Sequence, residues 1–182
     1  MICAMKFEST AIAGVWIVRP EPIVEERGSF ARTYCEKEFA AHGLHTAWPQ
    51  GNVSRNTRRG TLRGLHFQAE PHPEIKLVRC TAGAIFDVAV DVRRASPTFG
   101  QWLGVELSAA NGVELYLPAG CAHGFQSLTD EAEVFYMMGA TYVPELARGV
   151  RWDDPAIGIQ WPLPPVALSP RDAALPLLSS LA

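Results

Sequence analysis

The chain has 182 residues and a mass of 19.9 kDa, which leaves room for one domain, and 48% of its residues are hydrophobic against 19% charged. This balance excludes a disordered chain, and the formal net charge of -3 provides no general positive field for nucleic acid or an anionic membrane. Arginine supplies 13 of the 16 cations, which favours bidentate recognition of carboxylate or phosphate at one local site.

The N-terminal residues lack the pattern of an export signal, and no apolar run approaches the roughly 18 residues of a membrane span. Four cysteines show no CxxC pairing and are too sparse for a disulfide scaffold, so we predict reduced, mostly buried thiols. They are Cys3, Cys35, Cys80 and Cys121. We therefore expect a soluble, cytoplasmic protein with a single domain over residues 1–182.

One convincing short helix is predicted before the C-terminal region, over Glu36–His42, where Gly43 stops the sequence EKEFAAH. Strand signals dominate elsewhere. Residues 84–93 alternate between an apolar set and a mostly polar set, which predicts a strand with one face of each kind. Turn signals at intervals of about ten residues separate further alternating runs. These runs are 103–107, 113–117 and 134–138. The pattern indicates an antiparallel sandwich or barrel.

Two short segments refine this architecture. Asn111-Gly112 lies between two alternating runs and tolerates positive φ at both residues, so we expect a hairpin between adjacent strands. The prolines of residues 161–165 (WPLPP) exclude a central strand there, because proline donates no ladder hydrogen bond. We expect the last 20 or so residues to run as a tail over the barrel surface.

Each half of the predicted barrel carries one motif centred on a histidine. Residues 60–68 (GTLRGLHFQ) resemble the first cupin motif, and residues 112–123 (GVELYLPAGCAH) resemble the second. The resemblance implies an all-β fold, a double-stranded β-helix or jelly roll, with a few short helices and the C-terminal tail packed on the barrel.

The metal ligands of metal-binding cupins are incomplete in this sequence. Gln68 stands where such cupins carry the second histidine of the first motif. His66, Glu74 and His123 could still form a weak site of two histidines and one carboxylate, suited to non-haem iron. An amide is a poor ligand and a second resemblance explains the motifs better, so we expect no metal.

Seven short motifs resemble, in order and spacing, the nucleotide-sugar epimerases of the dTDP-4-dehydrorhamnose 3,5-epimerase family. They are RGSF at 27–30, QGNVS at 50–54, GTLRGLHFQ at 60–68, EIKLVRC at 74–80, AHGFQ at 122–126, EVFY at 133–136 and RWDDP at 151–155. The resemblance covers the chain from about Gly14 to Asp172. It implies an enzyme that inverts the carbons flanking the 4-keto group of a nucleotide-linked 6-deoxyhexose, typically dTDP-linked, without metal or organic cofactor.

The resemblance also implies the catalytic roles that such an epimerisation requires. His66 would be the base, since an imidazole titrates near neutral pH, and Asp172 would orient it. Lys76, assisted by His123, would stabilise the enolate oxygen. Tyr136 would return a proton from the opposite face, although its place in the strand alternation equally predicts burial in the barrel.

Further positions match residues that bind the substrate in the family. They are Arg27, Gln50, Asn52, Arg63, His123, Tyr142 and Arg171, with Tyr142 matching an aromatic residue that stacks on the nucleobase. Arg32 and Ala147 depart from the glutamates of typical members, which leaves the exact nucleotide sugar open. The resemblance further implies a homodimer in which the N-terminal strands of one subunit complete the barrel of the other.

Two alternatives to this function stay open. A relative could invert a single carbon or use another nucleotide-linked sugar, and a catalytically silent cupin could bind a nucleotide sugar as a sensor. The complete set of predicted catalytic residues favours an enzyme, because a pure binder has no physical need to retain it. This set is His66, Lys76, Tyr136 and Asp172.

Overall fold

The computed structural model describes residues 4–181, which form two antiparallel sheets packed face to face and one small hairpin. The strands are β1 (Met5–Ser9), β2 (Trp16–Pro20), β3 (Ile23–Glu25), β4 (Gly28–Phe30), β5 (Gln50–Asn56), β6 (Leu62–Gln68), β7 (Lys76–Ala82), β8 (Ala84–Asp91), β9 (Trp102–Ser108), β10 (Glu114–Leu117), β11 (Cys121–Ser127), β12 (Ala132–Met138) and β13 (Ala147–Gly149). The helices are α1 (Glu36–Ala41) and α2 (Pro170–Ala173), with 3-10 turns at Pro144–Leu146 and Leu178–Ser180. Cys3 lies outside the described residues.

The strand order defines two sheets with different roles. Sheet one has the order β1-β2-β10-β7-β12-β5, sheet two has the order β13-β6-β11-β8-β9, and β3 pairs only with β4 among the described strands. Apolar side chains from the facing sides of both sheets form one core. It includes Val78, Leu115 and Val134 of sheet one and Ile85, Leu107 and Phe125 of sheet two. The antiparallel sandwich predicted from the alternating runs is confirmed.

Strand β8 is buried on both faces. Its mostly polar set points between the two sheets, where Asp87 is fully buried beside the core residues Ile85 and Ala89. The opposite set, which includes Val88 and Val90, packs outward against residues near the C-terminus. The polar face therefore lines the interior, which places charged chemistry inside the sandwich.

The Asn111-Gly112 turn does not join adjacent strands, and that prediction was wrong. The turn connects β9, at the edge of sheet two, to β10 in sheet one. Its local chemistry is as expected, because Asn111 Oδ1 accepts hydrogen bonds from the backbone N–H of Ser108 (3.0 Å) and of Val113 (2.9 Å). The turn is tight, but the burial of the flanking apolar faces in one core sends the two strands to different sheets.

The predicted helix and the predicted tail are both confirmed. Helix α1 ends at Ala41, one residue short of the predicted end, and its fully buried Phe39 packs on the outer face of sheet one. Residues 161–165 contain no strand, and the chain beyond them crosses sheet two, with Leu178 buried against Val88 and Val90. No helix within residues 4–181 is long and apolar enough to cross a membrane.

The outer face of sheet one holds a buried carboxylate, Glu114. Its side chain is 2% exposed, and its Oε1 lies 3.6 Å from Nη1 of Arg79 on the neighbouring strand. Both carboxylate oxygens lack a hydrogen-bond partner among the described residues. Burial raises the pKa of Glu114 to about 8, although the positive charge of Arg79 acts to lower it.

We predict that this carboxylate makes the protein less stable as the pH rises. Unfolding releases the proton of Glu114 between its ordinary pKa of 4.5 and the folded value of about 8, so the free energy of unfolding falls over this range. Glu114→Gln should remove this loss of stability. The increase that it causes in the free energy of unfolding should be roughly 3 kcal/mol larger at pH 8 than at pH 5. Urea denaturation at both pH values measures it. Glu106→Gln, on an exposed position of β9, is the control, and an equal gain at both pH values would contradict the prediction.

Candidate active site

Two neighbouring cavities open between the sheets. The first has a volume of about 530 Å³ and the second about 390 Å³, sizes that suit an organic ligand. Four side chains line both cavities and therefore lie where the two meet. They are His66, Lys76, Tyr136 and Arg171.

A β-bulge in β6 places His66 in this cleft. His66 lies opposite His123 of β11, and Arg63 lies opposite Phe125. The two pairs are three residues apart on β6 but only two residues apart on β11, so β6 contains one extra residue. The extra residue brings both Arg63 and His66 to the first cavity. Gly64 permits it, since its φ is +116° and an added Cβ would lie 2.5 Å from a backbone carbon of the facing strand.

His66 and Asp172 form a hydrogen-bonded pair. His66 Nε2 lies 2.7 Å from Oδ1 of Asp172, and Asp172 Oδ2 accepts the backbone N–H of Gly64 at 3.2 Å. Burial favours a raised pKa for Asp172, but the hydrogen bonds from His66 and Gly64 outweigh it and hold this pKa below its ordinary value. The carboxylate therefore stays ionised and accepts a hydrogen bond from Nε2–H of His66, which leaves Nδ1 as the ring nitrogen that can accept a proton.

Asp172 reaches the cleft because a short helix presents it. Ser169 caps α2 by accepting the backbone N–H of Asp172 at 3.0 Å, and Pro170 occupies the first helical position. Asp172 is 106 residues from His66 in sequence, so the pair depends on the tail lying over sheet two.

A second histidine and aspartate pair lies deeper between the sheets. His123 Nε2 is 2.7 Å from Oδ1 of Asp87, and both side chains are buried. Burial raises the pKa of Asp87, while the nearby His123 and Lys76 oppose the shift. Sequence reasoning did not select Asp87 as a site residue. Its inward place in the alternation of β8 was the available signal.

Lys76 is buried at the junction of the cavities. Its Nζ forms an ion pair with Glu74 and donates a hydrogen bond to the backbone carbonyl of His66 at 3.2 Å. Both side chains of the ion pair are less than a tenth exposed. The ammonium group is thus fixed beside His66, where it can stabilise a negative charge that develops in the cleft.

Tyr136 faces the cleft from the sheet opposite His66. Its strand partners are Val78 and Asn52, which places it on the inner face of sheet one. Burial raises the pKa of Tyr136; the charge of Arg63 lowers it and that of Glu74 raises it. The hydroxyl is therefore protonated at neutral pH and can donate. Its half-buried state fits both the core position and the acid role predicted from the sequence.

The structure brings most of the predicted binding residues to the cleft. Arg63 and His123 line the first cavity, Gln50, Asn52 and Tyr142 line the second, and Arg171 lines both. Arg27 lines neither cavity, since its exposed side chain pairs with Glu25. Of the two departures from the family, Ala147 lines the second cavity, whereas Arg32 bonds Glu38 and lines neither.

The alternative metal site does not assemble. Within residues 4–181, no group of three or more His, Cys, Asp or Glu side chains could hold a metal ion. The three candidate ligands are each engaged elsewhere: His66 with Asp172, Glu74 with Lys76, and His123 with Asp87.

Residues 9–180 match the sequence profile of the dTDP-4-dehydrorhamnose 3,5-epimerase family. The chain belongs to this family. The dTDP-4-dehydrorhamnose 3,5-epimerase of Sinorhizobium fredii is 47% identical over 178 residues, which cover 97% of this chain and 91% of that protein.

Solved structures of dTDP-sugar epimerases share the fold. The dTDP-6-deoxy-D-glucose-3,5-epimerase of Legionella pneumophila, in complex with dTDP-4-keto-L-rhamnose, superposes with a TM-score of 0.93 at 40% identity, over 98% of this chain and 95% of that one. A 3′-monoepimerase of Streptomyces bikiniensis, in complex with dTDP-quinovose, gives a TM-score of 0.87 at 36% identity, over 94% and 87%. The cupin-like jelly roll and the family predicted from the motifs are confirmed.

Proposed function

We propose that this member of the dTDP-4-dehydrorhamnose 3,5-epimerase family inverts carbons 3 and 5 of dTDP-4-dehydro-6-deoxy-D-glucose, giving dTDP-4-dehydro-L-rhamnose, without metal or organic cofactor. The observation that carries the proposal is the cleft itself. The His66–Asp172 pair approaches it from sheet two, Tyr136 approaches it from sheet one, and Lys76 lies where the two cavities meet.

The first step removes a proton from a carbon next to the ketone. Nδ1 of His66 takes the proton, and the electron pair of the broken C–H bond moves to the carbonyl oxygen. The Lys76 ammonium stabilises the resulting enolate oxygen, and His123 assists it. Asp172 stabilises the imidazolium that forms.

The second step returns a proton to the same carbon from the other face. Tyr136 donates its hydroxyl proton as the enolate collapses to the ketone, which inverts the carbon. Solvent then reprotonates the tyrosinate and takes the proton from His66, so the cycle consumes nothing. The raised pKa of Tyr136 keeps it in the donating form between turnovers.

The proposed binding residues suit different parts of the nucleotide along the cleft. Tyr142 provides an aromatic face for the base in the second cavity, and Arg63 and Arg171 provide guanidinium groups for the diphosphate. Because the diphosphate links the nucleoside to the sugar, the reacting sugar lies beyond it in the first cavity, against His66, Lys76 and Tyr136. A cytoplasmic location stays a prediction, supported by the free thiols of Cys35, Cys80 and Cys121.

We also propose a homodimer in which the hairpin β3–β4 of one subunit packs on the other and brings Arg27 to its cleft. Val24 is 77% exposed and Phe30 is 66% exposed, and a two-stranded hairpin is marginal in water unless it packs on something. Strands β1 and β2 already extend sheet one within the single chain. The hairpin is thus the N-terminal segment best suited to exchange.

The dimer is tested by mass in solution. Sedimentation should give twice the chain mass of 19.9 kDa, and Phe30→Asp should shift the protein to the single-chain mass and raise KM. Phe99→Asp, which changes an exposed aromatic residue outside the hairpin, should leave the mass unchanged. A wild-type protein that sediments as a single chain would refute this arrangement.

The epimerase function is tested by deuterium incorporation in heavy water. With dTDP-4-keto-6-deoxyglucose, the wild type should take up deuterium at carbons 3 and 5. His66→Ala should abolish uptake at both carbons and retain dTDP binding, whereas His72→Ala, on the exposed surface, should behave as wild type. Uptake at one carbon would indicate a single-carbon epimerase, and no uptake would indicate a nucleotide-sugar binder.

The role of Tyr136 is tested by separating exchange from inversion. In Tyr136→Phe, His66 can still remove a proton and return it to the same face, so exchange should persist while inversion falls by about 10²- to 10⁴-fold. Tyr116→Phe, which removes a buried hydroxyl that accepts the backbone N–H of His45, is the control. Normal inversion by the Tyr136 variant would show that this residue only fills the core.

A further inference from the structure

The side-chain amide of Gln68 is bonded entirely to backbone near Tyr142. Gln68 ends strand β6 and is 2% exposed. Its Nε2 donates to the carbonyl oxygens of His72 (2.5 Å) and Thr141 (3.2 Å), and its Oε1 accepts the N–H of Val143 (2.8 Å). Both ends of the amide are therefore satisfied by the two segments that flank the second cavity.

A second glutamine bonds Tyr142, the residue between Thr141 and Val143. Gln50, on β5 of sheet one, accepts the backbone N–H of Tyr142 through Oε1 at 3.1 Å. Its Nε2 donates to Asn52 Oδ1 at 3.2 Å. Glutamines from opposite sheets thus bond three successive residues, 141–143, in the connection that crosses from β12 to β13.

The side chain of Tyr142 depends on this backbone support. It is 45% exposed, so packing against neighbours fixes the ring only in part. An exposed ring that must meet a ligand face loses affinity if its backbone moves, because the ordering cost is then paid on binding. Gln68 supplies two of the three amide contacts to the segment.

We propose that Gln68 is a positioning residue for nucleotide recognition, which holds residues 141–143 so that the Tyr142 ring is placed for the base before the ligand arrives. The inference rests on the proposed function, since it takes dTDP as the nucleotide. It assigns a task to the position where the metal-binding cupins carry a histidine: the amide organises a loop of the binding site.

Gln126 provides a matched control. It is fully buried on β11, its Nε2 donates to the carbonyl of Leu163 at 2.8 Å, and its Oε1 accepts the N–H of the same residue at 3.0 Å. It has the same chemistry as Gln68, but it holds the C-terminal tail and lines neither cavity.

The test compares dTDP binding by calorimetry in the wild type, Gln68→Met and Gln126→Met. Gln68→Met keeps the side-chain volume and removes the amide, so we expect dTDP to bind about tenfold more weakly, within the range that a base-stacking aromatic contributes. Gln126→Met should bind dTDP within about twofold of the wild type. In turnover, Gln68→Met should raise KM and leave kcat little changed, which a general loss of structure would not do.

A double-mutant cycle with Tyr142→Ala ties the effect to the ring. If Gln68 acts through Tyr142, Gln68→Met should weaken dTDP binding much less in the Tyr142→Ala protein than in the wild type. Equal effects in both backgrounds would overturn the inference.

The remaining outcomes separate this inference from the proposed function. A wild type that neither binds dTDP nor exchanges deuterium would remove the function and the inference together. A wild type that binds dTDP, with Gln68→Met binding equally well, would remove only the inference. If Gln68→Met does not fold, Gln68→Glu takes its place, because it keeps an acceptor for Val143 and loses both donated bonds. Unchanged dTDP affinity in that variant would equally overturn the inference.

Discussion

The hydrogen bond between Asp172 and His66 requires sheet two, the C-terminal tail and helix α2 to be in place together. It joins residues 106 positions apart, so it forms only if the tail crosses sheet two and brings α2 to the cleft. The outward valines of β8 provide apolar surface for that path, and Leu178 and Ile157 cover it. Backbone hydrogen bonds from Val166 to Gly60 (3.0 Å) and from Leu62 to Ala167 (2.9 Å) fix the tail just before it reaches α2. The burial of an ordinary apolar face thus positions an ionised carboxylate beside His66.

The interior of the sandwich is divided between packing and chemistry. One part is apolar and holds the sheets together, while the part toward the cleft contains buried ionisable groups. A buried charge without a partner there would cost several kcal/mol, and each of these groups has a hydrogen-bonding or oppositely charged partner. The pairs are His66 with Asp172, His123 with Asp87, and Lys76 with Glu74. Glu114 shows the contrast, because it lies outside the cleft, has only Arg79 at 3.6 Å, accepts no hydrogen bond from the described residues and has a pKa raised to about 8.

Local sequence patterns correctly predicted the features that depend on neighbouring residues, such as strands and helix ends. Alternation located the strands, Gly43 located the end of α1, and the motif residues His66, Lys76 and Tyr136 all reach one cleft. Signals failed where the outcome depends on distant packing. The Asn111-Gly112 turn formed as predicted, but its flanking strands joined different sheets because their apolar faces share one core.

Contacts between distant segments were equally hidden from the sequence. Asp87 looked like one polar residue in an alternating strand, and only the pairing of β8 with β11 places it beside His123. Gln68 looked like a lost metal ligand, and its hydrogen bonds to the 141–143 segment depend on where the β12 to β13 connection passes. Arg27 matched a binding motif in the sequence, but within residues 4–181 of the single chain it pairs with Glu25 and lines neither cavity.

The bulge in β6 has a consequence for how this strand can change. Because inside and outside alternate along a strand, removing the one extra residue between Arg63 and His66 would turn every position on one side of it to the opposite face. The imidazole would then leave the cleft, and Leu65, now packed on the outer face of sheet two, would enter it. Substitutions along β6 alter one contact at a time, whereas a change of its length by a single residue exchanges core and active site. The residue count of β6 is therefore constrained as strictly as the identity of Gly64.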